Sequence, residues 1–173
     1  MTTHRMLGLL VVLATALSAT TGCTDASGPA VAPTAGTTKA TPPAGLPEEA
    51  QQAWSTWNAA GMDDYHYTLS VGCFCPAALG VRVVVVNDDV QTIDASSQQR
   101  QLIRHFFHGP PTVDAMFAAI VEAEATADSV TLKFDETTGV PKSIYIDYAS
   151  NGVDDEIGIS TDEFGRGGPV LVD

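Results

Sequence analysis

Between residues 46 and 160 the spacing of apolar positions changes several times, and each change marks an element. Leu46, Ala50, Ala53, Trp54 and Trp57 recur every three or four residues, the stripe of an amphipathic helix. Leu46-Pro47-Glu48-Glu49 suits its start, because proline fits a first turn and acidic side chains favour the positive end of the helix dipole; Gly61 is placed to stop it. The period then falls to two. Tyr65, Tyr67, Leu69 and Val71 alternate with His66, Thr68 and Ser70, which predicts a strand with one buried face and His66 turned to solvent. A second strand follows over Val81 to Val86, Asn87-Asp88-Asp89 supplies turn chemistry, and Val90 to Ile93 makes a third.

Residues Ala95 to Pro111 contain Leu102, Ile103, Phe106 and Phe107, which predict a short helix ending before Gly109-Pro110-Pro111. Thr112 is a fitting N-cap, with Asp114 in the first turn and Val113, Met116, Phe117, Ile120 and Val121 on one helical stripe. Alternation returns in Val130, Leu132 and Phe134, in Ile144, Ile146 and Tyr148, and in Ile157 and Ile159, with turns at Glu136 to Gly139 and at Asn151-Gly152. The order is that of two consecutive helix-strand-strand-strand units, alike in element order and not in residue identity. Consecutive antiparallel strands with helices packed on one face define an α+β fold, and the six strands are expected in one sheet. Val130, Leu132, Phe134, Ile144 and Ile146 should be buried together beneath Met116, Phe117 and Ile120. Trp54 and Trp57, being on the apolar stripe, are expected in the core and not as a ligand-stacking pair.

The N-terminus follows a different logic. Arg5 gives a basic start, Met6 to Leu17 are almost wholly apolar, and small residues lead through Gly22 to Cys23. This resembles a bacterial lipoprotein signal, in which the cysteine is acylated and becomes the new N-terminus. Such signals carry Leu three residues before the cysteine, where this chain has Thr20. Ordinary secretion with cleavage nearby is the alternative, whereas the apolar stretch falls short of the ~20 residues that span a bilayer. The resulting division is a signal over 1–22, lipidated Cys23 with a linker over 23–45, and a single α+β domain over 46–173. The linker holds Pro29, Pro33, Pro42 and Pro43 and no aromatic residue, so it cannot offset its conformational entropy by burial and is expected to be disordered. Its flexible reach is roughly 25 Å, enough to hold the domain clear of a membrane surface.

Charge narrows the partners. The chain carries 8 basic and 21 acidic residues, and loss of the signal removes Arg5 alone, taking the net charge from −13 to −14. Nucleic acid and anionic lipid headgroups both require a basic surface and are excluded as partners of this reading.

Chemistry-bearing residues are few. Cys73 and Cys75 would end as a disulfide outside the cytoplasm. Residues two apart in a strand have Cα atoms ~6.6 Å apart, near the bridging limit, so a bend is needed there; Gly72 and Pro76 allow one. A ring this small contributes only roughly 1.6 kcal/mol before strain. Redox-active or metal-binding thiols, and free buried cysteines, are the competing readings. His105 and His108 stand three apart, so a helix would put both on one face, and with Cys73 and Cys75 they could form a two-Cys, two-His zinc or copper site. Two surface histidines beside Phe106 and Phe107 are the plainer account. Asp147, Asn151, Asp154, Asp155 and Glu156 gather oxygen ligands around a turn as calcium would require, but their spacing is not that of an EF-hand, and a solvated acidic hairpin is the plainer account. Asp147 and Asp154 could pair as acid and base, yet no nucleophile elbow, phosphate loop or metalloprotease helix accompanies them. No catalytic residue, metal or cofactor is therefore assigned.

Tyr65-His66-Tyr67, Cys73-Phe74-Cys75-Pro76, Phe134-Asp135, Gly139-Val140-Pro141, Ile144, Ile146, Asp147 and Asp154-Asp155-Glu156 together resemble a family of bacterial lipoproteins known as domain of unknown function 6174. The resemblance spans about Trp54 to Phe164 and implies an exported lipoprotein domain, with no activity, substrate or catalytic residue to carry over. The strand pattern is also similar to PepSY domains and β-lactamase inhibitor proteins, a likeness of fold alone. The expectation is a lipid-anchored protein on the extracytoplasmic side of the cell membrane, binding an envelope protein or a small ligand. A thiol-redox or metal-handling protein and a hydrolase are the rivals. An exposed apolar groove would favour binding, and a deep pocket of convergent polar groups would favour hydrolysis.

Overall fold

A computed structural model describes residues 41–73, 78–152 and 154–168, the side chains of 78 and 79 excepted. The signal segment, Cys23, the linker as far as residue 40 and Cys75 lie outside the described residues. In chain order the elements are α1 (Glu48–Ala60), β1 (Tyr65–Gly72), β2 (Ala78–Val86), β3 (Asp89–Asp94), α2 (Ser97–Phe107), α3 (Val113–Thr126), β4 (Ser129–Phe134), β5 (Pro141–Asp147) and β6 (Glu156–Arg166). The fold is α+β: among the described residues, three helices accompany a six-stranded antiparallel sheet.

The sheet order is β3-β2-β1-β6-β5-β4, so the last strand returns beside the first and joins the two halves. In β1 the alternation is complete: Tyr65, Tyr67, Leu69 and Val71 are fully buried, while His66, Thr68 and Ser70 stay partly exposed on the opposite face. The buried row continues through Val81, Val83 and Val85 of β2, Ile159 of β6, and Ile144 and Ile146 of β5. Against it pack Trp54 and Trp57 from α1, Ile103 and Phe107 from α2, and Met116, Phe117 and Ile120 from α3. Val130, Leu132 and Phe134 are only partly buried, against the expectation of full burial, because β4 is an edge strand with no neighbour on its outer side. Phe134 still stacks on Phe117, ring centroids 6.0 Å apart.

Local chemistry explains the element ends. Gly61 closes α1 at φ 52°, the left-handed conformation that costs an L side chain ~1–2 kcal/mol. Asn87 and Asp88 both adopt positive φ, as a two-residue hairpin turn between right-twisted strands requires. Helix α2 starts five residues earlier than its apolar residues suggest. Ser96 Oγ accepts from Gln99 N at 3.3 Å and Ser96 N donates to Gln99 Oε1 at 2.8 Å, a reciprocal cap that satisfies two otherwise orphaned donors. With 11 residues, α2 is a full helix between β3 and α3, so the chain is not two bare helix-strand-strand-strand units.

Side-chain hydrogen bonds then lock the layers. The Tyr67 hydroxyl donates to the Pro111 carbonyl, Val113 N donates to the Tyr65 hydroxyl at 3.1 Å, and Trp57 Nε1 donates to Asp114 Oδ1 at 2.9 Å. Burial pushes both phenols well above their ordinary pKa range, the Val113 N–H partly opposing this at Tyr65. Strand β6 runs on to Arg166 through an irregularity at Glu163, φ 51°, which turns Phe164 back onto Tyr65 and Trp57.

Candidate functional site

At the end of the sheet where α3 finishes and β6 begins, the helices do not fully cover the strands. Phe106 of α2, Ala119 and Ala123 of α3, Ile146 of β5 and Ile157 of β6 line a groove of about 170 Å³, with Tyr148 at its mouth. Tyr148 is 37% exposed, one of two large hydrophobic side chains so exposed among the described residues. The groove exists because Ala119 and Ala123 put small side chains where α3 crosses β5 and β6. Polar groups stand at its rim: His105, His108 and Glu122. Desolvation, and after it the Glu122 carboxylate, raises the Tyr148 phenol above its usual range. An apolar floor with a few polar groups at the margin is the lining of a binding site, here at a volume below the ~300 Å³ at which small-ligand pockets begin.

The structure brings His105 and His108 to this rim but not to a common target. His108 is the C-cap of α2, at φ 49°, so the three-residue helical spacing that would aim it with His105 is broken. Its Nε2 lies 3.0 Å from Glu122 Oε2 of α3, while the His105 ring packs edge-on against Phe106 at 5.3 Å. Cys73 follows β1 at the same end of the sheet, one residue past the Gly72–Gly158 pair. No three His, Cys, Asp or Glu side chains among the described residues are placed to hold a metal ion.

The acidic hairpin between β5 and β6 is held by two side-chain-to-backbone bonds, while Asp155 Oδ2 is buried with no hydrogen-bond partner among the described residues. Asp147 Oδ1 accepts from Ala149 N at 3.1 Å, and Asp128 Oδ2 accepts from Ser150 N at 2.9 Å, a bond that holds the Asp128 carboxyl below its usual range. Asn151 and Asp154 are exposed, Asp155 and Glu156 partly buried. This is a hairpin held by side-chain-to-backbone bonds of the kind aspartate makes in turns.

A larger and more polar cavity, about 470 Å³, lies at the other end, between the β4–β5 turn and the β6 irregularity. Asp135, Lys142, Asp162 and Glu163 border it. Asp135 is committed to the turn: its Oδ1 accepts from Thr137 N, Thr138 N and Thr138 Oγ1 at 3.1, 2.9 and 3.0 Å, and its Oδ2 pairs with Lys142 Nζ at 3.2 Å. These bonds, the Thr138 N–H first, hold the Asp135 carboxyl below its ordinary range. It is a fixed charge at neutral pH and not a proton shuttle.

Sequence reading singled out His105 and His108, as metal-ligand candidates; it placed Tyr148 only in a strand alternation and passed over Ala119, Glu122 and Ala123. The signal was present in the alternation of small and large residues along α3, which has meaning only once its neighbours are known.

The scaffold is thus an antiparallel sheet covered on one face by helices, with a shallow apolar groove at one end. The chain belongs to the family of unknown function DUF6174, which matches residues 49–166. No curated protein and no solved structure matches the chain. No helix of the described residues is long and apolar enough to cross a membrane.

Proposed function

We propose that this protein is an exported lipoprotein, anchored through acylated Cys23 on the extracytoplasmic side of the cell membrane, whose domain binds an envelope protein or small ligand. The groove carries the reading: Phe106, Ile146 and Ile157 form an apolar floor beside the exposed ring of Tyr148. Aromatic rings at such positions supply large contact area at low entropic cost. The layout from Arg5 to Cys23 supports export and anchoring. A bridge between Cys73 and Cys75 belongs to the same reading. Supporting it, the Cys73 sulfur is disulfide-bonded, and a bond to Cys75 leaves Cys23 free for acylation.

The test places a photoreactive side chain at Tyr148 of the full-length protein in its own envelope. A discrete adduct that disappears when Ala119→Trp fills the groove, and that a probe at Thr92 does not form, is the expected result. No adduct at Tyr148, or one indifferent to Ala119→Trp in a folded protein, would refute the groove as the binding site.

A further inference from the structure

A second concavity, remote from the Tyr148 groove, lies between the edge strand β3 and helix α2. Its volume is about 310 Å³, at the lower end of the ~300–1,000 Å³ range of ligand sites. Val90 and Ile93 of β3, Ile103 of α2 and Pro110-Pro111 make its walls apolar, and Ile103 is almost fully buried, so the floor is fixed. Arg100 and Arg104 stand at its mouth, and none of its described lining residues is acidic.

The two arginines differ in state. Arg100 is spent on the fold: its Nη2 donates to the Ile93 carbonyl and its Nε to the Ala95 carbonyl at 3.1 Å. Arg104, one turn further along α2, makes no hydrogen bond or ion pair with any described residue. A guanidinium at the mouth of an apolar cleft matches a carboxylate, which it can hold by two parallel hydrogen bonds.

The walls also say what carries the carboxylate. A peptide entering the cleft would need partners for its backbone groups. Prolines 110 and 111 have no N–H to give. The carbonyls of Ile93 and Ala95 are taken by Arg100, that of Pro110 by Thr112 N at 2.9 Å, and that of Pro111 by the Tyr67 hydroxyl. The outer edge of β3 still offers backbone groups, so the choice of ligand rests on the apolar walls and the guanidinium at the mouth, which an aliphatic chain with a charged head matches. We propose that the β3–α2 cleft binds an aliphatic monocarboxylate, a fatty acid, with its chain between Val90, Ile93 and Ile103 and its head on Arg104. The proposal does not depend on the Tyr148 groove or on the anchor.

The experiment is a competition titration of the full-length protein with a fluorescent fatty acid, displaced by decanoate, decanol, decyl phosphate or a short peptide with an apolar C-terminus. Decanoate should displace the probe, decanol should be about tenfold weaker for lack of the charge, and the peptide should not compete. Arg104 is exposed, so Arg104→Gln should fold normally and weaken decanoate about tenfold while leaving decanol unchanged, and Arg104→Lys should restore part of the loss. Failure of decanoate to displace, equal affinity in folded Arg104→Gln, or preference for decyl phosphate or the peptide would each overturn the proposal.

Discussion

Replacing Tyr67 with phenylalanine removes one oxygen atom and tests whether the phenols of β1 hold the α2–α3 connection in place. The Tyr67 ring is completely buried, and its hydroxyl donates to the carbonyl of Pro111, itself buried. Phenylalanine keeps the ring, including its stacking on Tyr65 at 6.3 Å, and leaves the carbonyl without a partner and out of reach of water. That should cost ~1–3 kcal/mol, the desolvation penalty of an orphaned buried group, rather than the smaller net worth of an average hydrogen bond. Tyr65→Phe should cost a similar amount, because the N–H it strands belongs to Val113 at the first turn of α3, where no intrahelical acceptor exists. With an m-value of ~2 kcal/mol/M, a loss of ~2 kcal/mol lowers the urea midpoint by ~1 M. The double variant should fall short of the sum by ~0.5 kcal/mol or more, since both bonds restrain residues 111 to 113 and the first loss loosens the second. Tyr145→Phe, on an exposed ring, should stay within ~0.5 kcal/mol and serves as the control. A Tyr67→Phe midpoint equal to wild type would show that the connection is held by packing alone.

Three further outcomes follow from the same geometry. Asp135→Ala should destabilise the protein by ~1–2 kcal/mol at neutral pH, through loss of the hydrogen bonds that shape the β4–β5 turn. Because the folded carboxyl lies below its unfolded value, this stabilisation is complete above pH ~4 and is lost as the pH falls through the folded pKa; a gap between wild type and Asp135→Ala that persists undiminished to pH ~2 would contradict the assignment. Gly139→Ala should cost ~2–5 kcal/mol in chemical denaturation, combining ~1–2 for a left-handed residue with ~1–3 for overpacking, since its Cβ would lie 2.1 Å from the Ala53 carbonyl oxygen. The intact exported protein should gain two hydrogens in mass on reduction of a Cys73–Cys75 bridge, with a modest loss of stability; two free thiols in native protein would remove the bridge from the reading.

The sheet was legible because burial on one face imposes a period of two that survives in the residues themselves. Tyr65 to Val71 is the plainest case, and the helix stripes through Trp54-Trp57 and Met116-Phe117-Ile120 are nearly as plain. Two features were not legible from apolar spacing. The start of α2 rests on Ser96 and Gln99, polar residues whose reciprocal bonds replace the apolar signal in the first turn. The length of β6 rests on Glu163 taking a positive φ, which no residue type other than glycine or asparagine announces. Burial of β4 was overestimated for a topological reason: alternation gives the face of a strand, while its depth depends on whether it has one neighbour or two.

The clefts belong to a different level of information. The Tyr148 groove forms where elements distant in sequence meet imperfectly, Ala119 and Ala123 against Ile146 and Ile157, and the other forms where the consecutive elements β3 and α2 pack, Val90 and Ile93 against Ile103 and Pro111. Apolar spacing along the chain does not show how two elements pack, so the residues that looked chemical in isolation, His105 and His108 or the acids of the β5–β6 hairpin, carried the expectation instead. Some of their polar atoms are engaged with neighbours, as in the His108–Glu122 pair and the Asp147 turn, while Asp155 Oδ2 is buried with no hydrogen-bond partner among the described residues. Arg104 drew no notice in the sequence because an exposed arginine on a helix is ordinary. Its interest comes only from what the fold places around it, an apolar cleft with no acidic residue among its described lining. A side chain's chemistry is thus set less by its identity than by which of its possible partners the fold has already used.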